Sequence, residues 1–484
     1  MKKNILFTLL LALLYSCSNV KEENSKIDLC FNEDGTFKIL QMTDLHWDEN
    51  EEGKPEALSK MIIDLVKMEK PDLIVATGDV ITERPAMKGW EKLTAVLADC
   101  GVPYAITMGN HDPEAMGRDS IFDFLATQPL SVAEKGPAEI SGVGNYILEV
   151  KASDGSGKTK ALLYCFDSGD YTIDRKKYGY YAWFEQNQIE WYKKQSQRYT
   201  DANGGEPLPA LGFFHIPLPE YNDVKDYERF GEWHERICSP SFNTGMFLAM
   251  RQMGDIMGTF VGHDHSNDFI GKYWDIALAY GRRTQTDFDE IAGGGRIIIL
   301  KEDQRSFETY ARTLEKKEYT YYYPQAFPSD DYEPLKPAKN VNPVKNGVSY
   351  TYYEGNFNNT DEMLTKGKMV GKGTMDYFFV DKAPIKDYYG YEFNAYIYIP
   401  EDGFYRFFMD SDDGSKIFLD DELLINLDVR SVREKTGGNI GLAKGFHEIK
   451  ILYYENYAGQ ELTLDIASMK MTRQKVSAEM LYVK

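Results

Sequence analysis

The sequence predicts an α/β layered domain followed by an all-β sandwich, and three observations support that expectation. From about residue 37 to residue 312, apolar strand-like runs alternate with segments of helical spacing. A Pro- and Tyr-rich stretch with no sustained period comes next. Beyond it, short alternating runs are separated by turn residues, and helical patterning nearly vanishes. At 484 residues the chain is also too long for one compact core.

The elements follow in chain order. Lys2 and Lys3 precede the apolar run Ile5 to Leu14, and Leu14-Tyr15-Ser16-Cys17 sets a small residue directly before a cysteine. That run is too short to cross a bilayer as a stable helix. Its charge–apolar–small order is that of a cleaved targeting segment. Residues 1–16 therefore read as a signal peptide, and the segment resembles a bacterial lipoprotein site in which the cysteine, here Cys17, becomes lipidated. Ser18 to Lys26 is polar and rich in Glu and Lys, and residues 17–34 read as a tether. The expectation is a lipid-anchored, extracytoplasmic protein, in the outer membrane, the periplasm or on the cell surface. Cys30, Cys100, Cys165 and Cys238 are scattered without a CxxC pair, so a zinc knuckle is not expected.

In the α/β region, residues 35–315, Phe37 to Met42 reads as a strand, Ala57 to Met68 as a helix and Asp72 to Ala76 as a buried strand. Trp90 to Leu97 is helical again and Tyr104 to Met108 is the next strand. Runs at Leu162 to Phe166, Leu211 to Phe214, Thr259 to Val261 and Arg296 to Leu300 continue the series. Residues 316–346 read as a linker, and residues 347–484 as the sandwich.

Chemistry-bearing residues fall where these strands end. Thr43-Asp44-Leu45-His46 follows the first strand, Gly78-Asp79 the second and Gly109-Asn110-His111-Asp112 the third. His215 closes Gly212-Phe213-Phe214, and Gly262-His263-Asp264-His265 follows a late strand. Carboxyl ends of strands in open α/β sheets face the ligand crevice, so these groups can converge. The pairs Asp44/His46 and His263/His265 are each spaced by two, which places both members on one face of extended backbone. Of 7 histidines in the chain, only His234 and His447 lie outside the set. Carboxylates, imidazoles and a carboxamide without thiolate suit Mn, Fe, Zn, Ni or Co. Seven donors, namely Asp44, His46, Asp79, Asn110, His215, His263 and His265, exceed the needs of one ion and point to two. Such a pair acidifies a shared water and neutralises a phosphoryl group under attack.

In this order the five motifs strongly resemble those of calcineurin-like metallophosphoesterases, with a layered αββα fold. The opening Phe37-Lys38-Ile39-Leu40-Gln41-Met42-Thr43-Asp44-Leu45-His46 is most similar to the purple-acid-phosphatase-related branch. The resemblance implies one metal at Asp44, His46, Asp79 and His265. It implies a second at Asp79, Asn110, His215 and His263, bridged by Asp79. It also implies that His111 stays off the metals and serves the transferring phosphoryl group or the leaving oxygen. Asp112 is the candidate for orienting that imidazole; an unpaired, exposed carboxylate is the other reading. The metal-binding tyrosine of true purple enzymes, three residues after the bridging aspartate, is Thr82 here. That departs from a tyrosinate centre. On the substrate side, Arg84, Tyr178, Tyr180, Tyr181, Arg236, Arg282 and Arg283 are candidates for phosphate contact.

In the C-terminal region, Gly403 to Asp410 leads through the acidic turn Ser411-Asp412-Asp413-Gly414 into Ile417-Phe418-Leu419. Successive carboxylates on a tight turn can bind calcium, although acidic hairpin tips are usually just solvated. With Tyr352-Tyr353-Glu354-Gly355 and Gly445-Phe446-His447-Glu448-Ile449, the segment resembles the protective-antigen-type sandwich module. In lectin members of that family, aspartates matching Asp412 and Asp413 hold calcium that contacts sugar hydroxyls. A glycan partner is the corresponding expectation.

A formal net charge of −21 argues against binding nucleic-acid phosphates. The function expected is phosphomonoester or phosphodiester hydrolysis. A surface glycan-binding or adhesion protein with a non-catalytic phosphoesterase domain is the second reading, and a nucleotide or phospholipid diesterase the third.

Overall fold

The computed structural model describes residues 27–226, 229–285, 291–324, 335–343, 345–428, 439–468 and 471–484. The expected signal peptide, Cys17 and most of the tether lie outside them. Among the described residues no helix is long and apolar enough to cross a membrane.

Two sheets pack face to face in the first domain. One has six strands, ordered Lys317–Tyr323, Phe307–Arg312, Gly295–Lys301, Thr36–Met42, Leu73–Thr77 and Tyr104–Thr107. The other has eight, with Thr159–Cys165, Ala210–Phe213, Ile256–Val261 and Ile276–Tyr280 at its centre. Strand periodicity divides side chains between two layers. Leu163 and Cys165 join Ile39, Ile74 and Ile297 in the core between the sheets. Leu162 and Tyr164 face the other way, into a layer with Tyr192 and Met250 of the helices Gln186–Ala202 and Met246–Met253. The helices Lys54–Glu69 and Ala86–Asp99 cover the six-stranded sheet through Leu58, Leu65, Trp90 and Leu97. This is the expected αββα layering.

Two segments differ from the sequence reading. Lys317–Tyr323, expected within the linker, instead pairs antiparallel with Phe307–Arg312 as the edge strand. Its run of Tyr and Thr has strong strand preference, and Tyr321 and Tyr323 turn into the core. Leu29–Cys30, expected in the tether, pairs in parallel with Val150 and Lys151. The four cysteines among the described residues are free thiols.

The second domain is two antiparallel sheets. Tyr389–Ile399 and Gly445–Glu455 form the centre of the larger, and Gly403–Asp412 and Glu461–Ser468 the centre of the smaller. Phe407, Met409, Ile417 and Ile451 meet in the core between them. The domains touch where the Phe230 and Phe404 rings approach to 5.9 Å and Arg406 donates to the Arg229 carbonyl at 2.7 Å.

Candidate metal centre

The strands Thr36–Met42, Leu73–Thr77 and Tyr104–Thr107 run parallel, as do Ala210–Phe213 and Ile256–Val261. Their carboxyl ends therefore open on one edge, and all five motifs leave the sheets there. Gly78 and Gly109 make the crowding there feasible. Gly78 has φ +87°, and a Cβ on it would lie 2.5 Å from Nδ1 of His215. A Cβ on Gly109 would lie 2.1 Å from Oδ1 of Asp79. Asp44, His46, Asp79 and His263 also hold positive φ, between 44° and 82°. L-residues avoid that region at a cost of roughly 1–2 kcal/mol each.

Two donor groups result. Asp44, His46 and His265 form one, and Asp79, His215 and His263 the other, with the donor atoms of each group within 4.8 Å of one another. Oδ2 of Asp79 lies 3.2 Å from Nε2 of His215 and 3.8 Å from Nε2 of His46, so a single oxygen reaches both groups. Oδ1 of the same carboxylate accepts from the His111 amide at 2.9 Å. Asp44 accepts from the His263 amide at 3.0 Å and from the Thr43 hydroxyl at 2.7 Å.

These residues fit a pair of cations on their own chemistry. Nδ1 of His215 faces the Thr77 carbonyl at 2.8 Å and must carry a hydrogen, so Nε2 is the nitrogen turned to the site. Nε2 meets Nδ1 of His263 at 3.2 Å and the Asp79 carboxylate. Nε2 of His46 and Nε2 of His265 meet likewise at 3.1 Å. Nitrogens and carboxylates crowded so closely need positive charge among them, from a proton or from a cation. Oδ1 of Asn110 is a further buried oxygen without a hydrogen-bond partner.

Proton affinities follow from the same crowding. Burial alone would depress the His215 imidazole, but the adjoining Asp79 carboxylate prevails and lifts it to about 10. His46 is pushed down to about 4 and His263 to about 3, burial being the largest cause in both. Burial opposes ionisation of Asp44 and Asp79, yet their histidine neighbours hold both carboxyls below the usual range.

His111 stands beside the groups, its ring 5.8 Å from that of His46 and its side chain 40% exposed. Asp112 does not orient it, contrary to expectation. Asp112 is fully buried, and its carboxylate accepts from the Val80, Ile81 and Gly109 amides at 2.9, 3.0 and 2.8 Å. It ties the Asp79 loop to the Asn110 loop. Burial, with the Asp79 charge, raises its pKa to about 6. The carboxylate on the His111 imidazole is Glu114, with Oε2 3.0 Å from Nδ1. One turn of helix, Asp112–Ala115, brings it there from position i+3.

The substrate-side candidates divide. Tyr181 stands edge-on to the His263 ring at 4.5 Å, and Tyr180 packs on Tyr181 at 5.1 Å. Tyr178 packs instead on Trp183 at 6.0 Å. Arg84 donates to the Glu114 carbonyl at 3.3 Å, and Arg236 is exposed. Arg282 is buried against Asp268 and Glu318. Arg283 is buried, donates to the Ile291 carbonyl at 3.0 Å and is close enough to oppose protonation of His265. Sequence reasoning missed Glu114 and Tyr171, whose hydroxyl accepts from Nδ2 of Asn110 at 3.0 Å.

The calcineurin-like phosphoesterase family matches residues 37–267, and the PA14 domain matches residues 344–479. The chain is 31% identical to the probable inactive purple acid phosphatase 14 of Arabidopsis thaliana, over 56% of its own length and 77% of that relative. It belongs to the calcineurin-like phosphoesterase family. It is also 29% identical to the phosphatase DCR2 of Saccharomyces cerevisiae, over 58% of this chain and 54% of that one. A dimetal phosphatase from Danio rerio superposes over 58% of this chain and 99% of its own, at TM-score 0.44 and 14% identity. The family's fold implies a dinuclear metal centre, and the two donor groups are the candidates to hold it.

In the C-terminal PA14 domain, the acidic turn lies at the end of the strand Gly403–Asp412. Oδ2 of Asp413 accepts from the Asn456 amide at 2.8 Å, and the Tyr453 hydroxyl donates to the Asp412 carbonyl at 2.5 Å. Glu455 is buried behind them, its carboxyl lifted to about 7 by burial and by Asp413 and Asp412.

Proposed function

We propose that this protein hydrolyses a phosphomonoester or phosphodiester at the two-metal centre, held outside the cytoplasm by a lipid on Cys17. The observation that supports it most is that Oδ2 of Asp79 reaches both donor groups while all seven donors are present. The ion pair, when bound, supplies an acidified water and neutralises charge on the phosphoryl oxygens. The chain does the rest. Asp79 and Asp44, kept ionised by their neighbours, and His46 and His263, kept neutral by burial, are ready at neutral pH to hold cations. Glu114 occupies Nδ1 of His111, which leaves Nε2 to hold a proton for the departing oxygen. Tyr181 and Tyr180 wall the centre on the His263 side. Mn, Fe, Zn, Ni and Co all suit the donor set.

The test is metal analysis with turnover of aryl mono- and diesters, comparing the parent with Asp79→Ala and His263→Ala. Two equivalents of metal and loss of turnover in both variants are expected. A folded chain that takes up none of these ions overturns the proposal. A second reading, a surface glycan-binding protein with a silent phosphoesterase domain, draws on the word "inactive" in the name of the Arabidopsis relative. Full metal loading without turnover of any ester would favour it. Activity confined to nucleotide or phospholipid diesters would narrow the first reading.

For the PA14 domain the proposal is sugar binding through calcium at Asp412 and Asp413. The buried, charge-starved Glu455 behind the turn supports it, because a cation there would relieve the carboxylate cluster. Glycan-array binding with and without calcium tests it; an absence of signal in both overturns it.

A further inference from the structure

Asn110 carries the only carboxamide among the seven donors, and a carboxamide has two faces that differ. Oδ1 can hold a cation, whereas Nδ2 brings hydrogens to the same place and repels one. A rotation of about 180° at the side chain exchanges them, so something must select the orientation. The backbone on either side is held: a Cβ on Gly109 would strike Asp79, and the His111 amide donates to Asp79 at 2.9 Å. Neither constraint acts on the carboxamide itself.

Tyr171 does. Its hydroxyl accepts from Nδ2 of Asn110 at 3.0 Å, and Oδ1 is left buried without a partner. A hydroxyl could equally donate, which would favour the wrong face. The Glu114 charge near the phenol favours turning the hydroxyl hydrogen towards the carboxylate and the oxygen lone pairs towards Nδ2, the sense of the bond in the structure. Glu114 also faces Nδ1 of His111 at 3.0 Å, so its charge acts on both the imidazole and the phenol.

The phenol is itself well placed. Tyr171 bridges Tyr181 in a short antiparallel ladder, and their rings stack at 6.0 Å. Asp170 accepts from the Tyr171 amide at 2.6 Å and is paired with Arg118 at 2.8 Å. Arg118 also contacts Asp167 at 3.2 Å. The Arg175 guanidinium covers the Tyr171 ring at 4.6 Å.

We propose that Tyr171 is a positioning residue of the metal centre: its hydroxyl locks the Asn110 carboxamide so that Oδ1 alone is offered to a cation at Asp79, His215 and His263. This rests on the two-metal reading, and its test is metal binding, independent of turnover.

The experiment titrates Mn2+ into four metal-free proteins: the parent, Tyr171→Phe, Asn110→Asp and the double variant. Stoichiometry and affinity are read by calorimetry and by Mn2+ electron paramagnetic resonance, with circular dichroism to verify folding. Removal of a hydrogen bond behind a ligand costs about 10–100-fold in metal affinity. Tyr171→Phe should therefore weaken one of the two sites about tenfold and leave the other within twofold. A carboxylate at position 110 offers oxygen on both faces and needs no selection. In the Asn110→Asp background the same Tyr171→Phe change should thus cost less than twofold. An unchanged pair of affinities in Tyr171→Phe overturns the assignment, as does an equal tenfold loss in both backgrounds, which would mark a packing role. A parent that takes up no Mn2+ overturns this assignment together with the two-metal reading. A parent that binds two Mn2+ but hydrolyses nothing leaves this assignment supported by the cycle alone.

Discussion

The two carboxylate clusters of this chain differ in how they are assembled. At the metal centre, Asp44, Asp79, Asn110, His215, His263 and His265 come from five strand ends spread over more than two hundred residues. In the PA14 domain, Asp412 and Asp413 are neighbours on one turn, and Glu455 lies on the strand paired beside it. The first cluster sets acids against imidazoles, with His215 held on the Thr77 carbonyl and against Asp79, so opposite charges face each other within the site. In the second, burial and the Asp413 and Asp412 charges act on Glu455, and a proton offsets them. A site built for permanent ions thus lowers its carboxyl pKa values, and the acidic turn raises one.

The largest effect that would break this comparison is at the bridging oxygen. Asp79→Ala should reduce bound metal to one equivalent or less and lower aryl phosphate turnover by more than about a thousandfold, beyond the loss of a single electrostatic donor. Atomic absorption and steady-state kinetics measure both. His111→Ala should retain two equivalents of metal while kcat falls by about a hundredfold or more, the range of a lost general acid. Metal loss in that variant would place His111 among the ligands. Gly109→Ala should cost about 1–3 kcal/mol in urea unfolding, because the added methyl has no room beside Asp79.

The smallest effect sharpens the other side. The Glu455 carboxyl stands at about 7 in the fold against an ordinary 4.5, so the folded form keeps a proton that the unfolded chain releases. The contribution of Glu455 to PA14-domain stability should be fully present below pH about 4.5 and be lost as pH rises through about 7. Glu455→Gln should flatten that decline in melting curves; an unchanged slope would show that Glu455 is not the group involved.

Several features were legible before any fold was known. The Asp-x-His, Gly-Asp, Gly-Asn-His-Asp and Gly-His-x-His motifs each sit at a strand end, and strand direction sends them to one edge. Asp112 was misread because adjacency in sequence was taken for adjacency to the imidazole. The short helix that begins there turns Asp112 inward onto three amides and leaves the imidazole to Glu114. Tyr171 had no signature, since its partner is 61 residues away and a lone tyrosine outside a motif carries no pattern. The edge strand Lys317–Tyr323 was obscured by the prolines that follow it.

By itself, the sequence determined the two-domain order, the layered α/β class and the set of candidate metal donors, because those depend on residue type and local spacing. Only the tertiary structure decided which oxygen joins the two groups, which carboxylate serves His111 and which hydroxyl faces Asn110. Those are matters of a few ångströms between segments remote in the chain, and such distances follow from packing of sheets rather than from any local pattern.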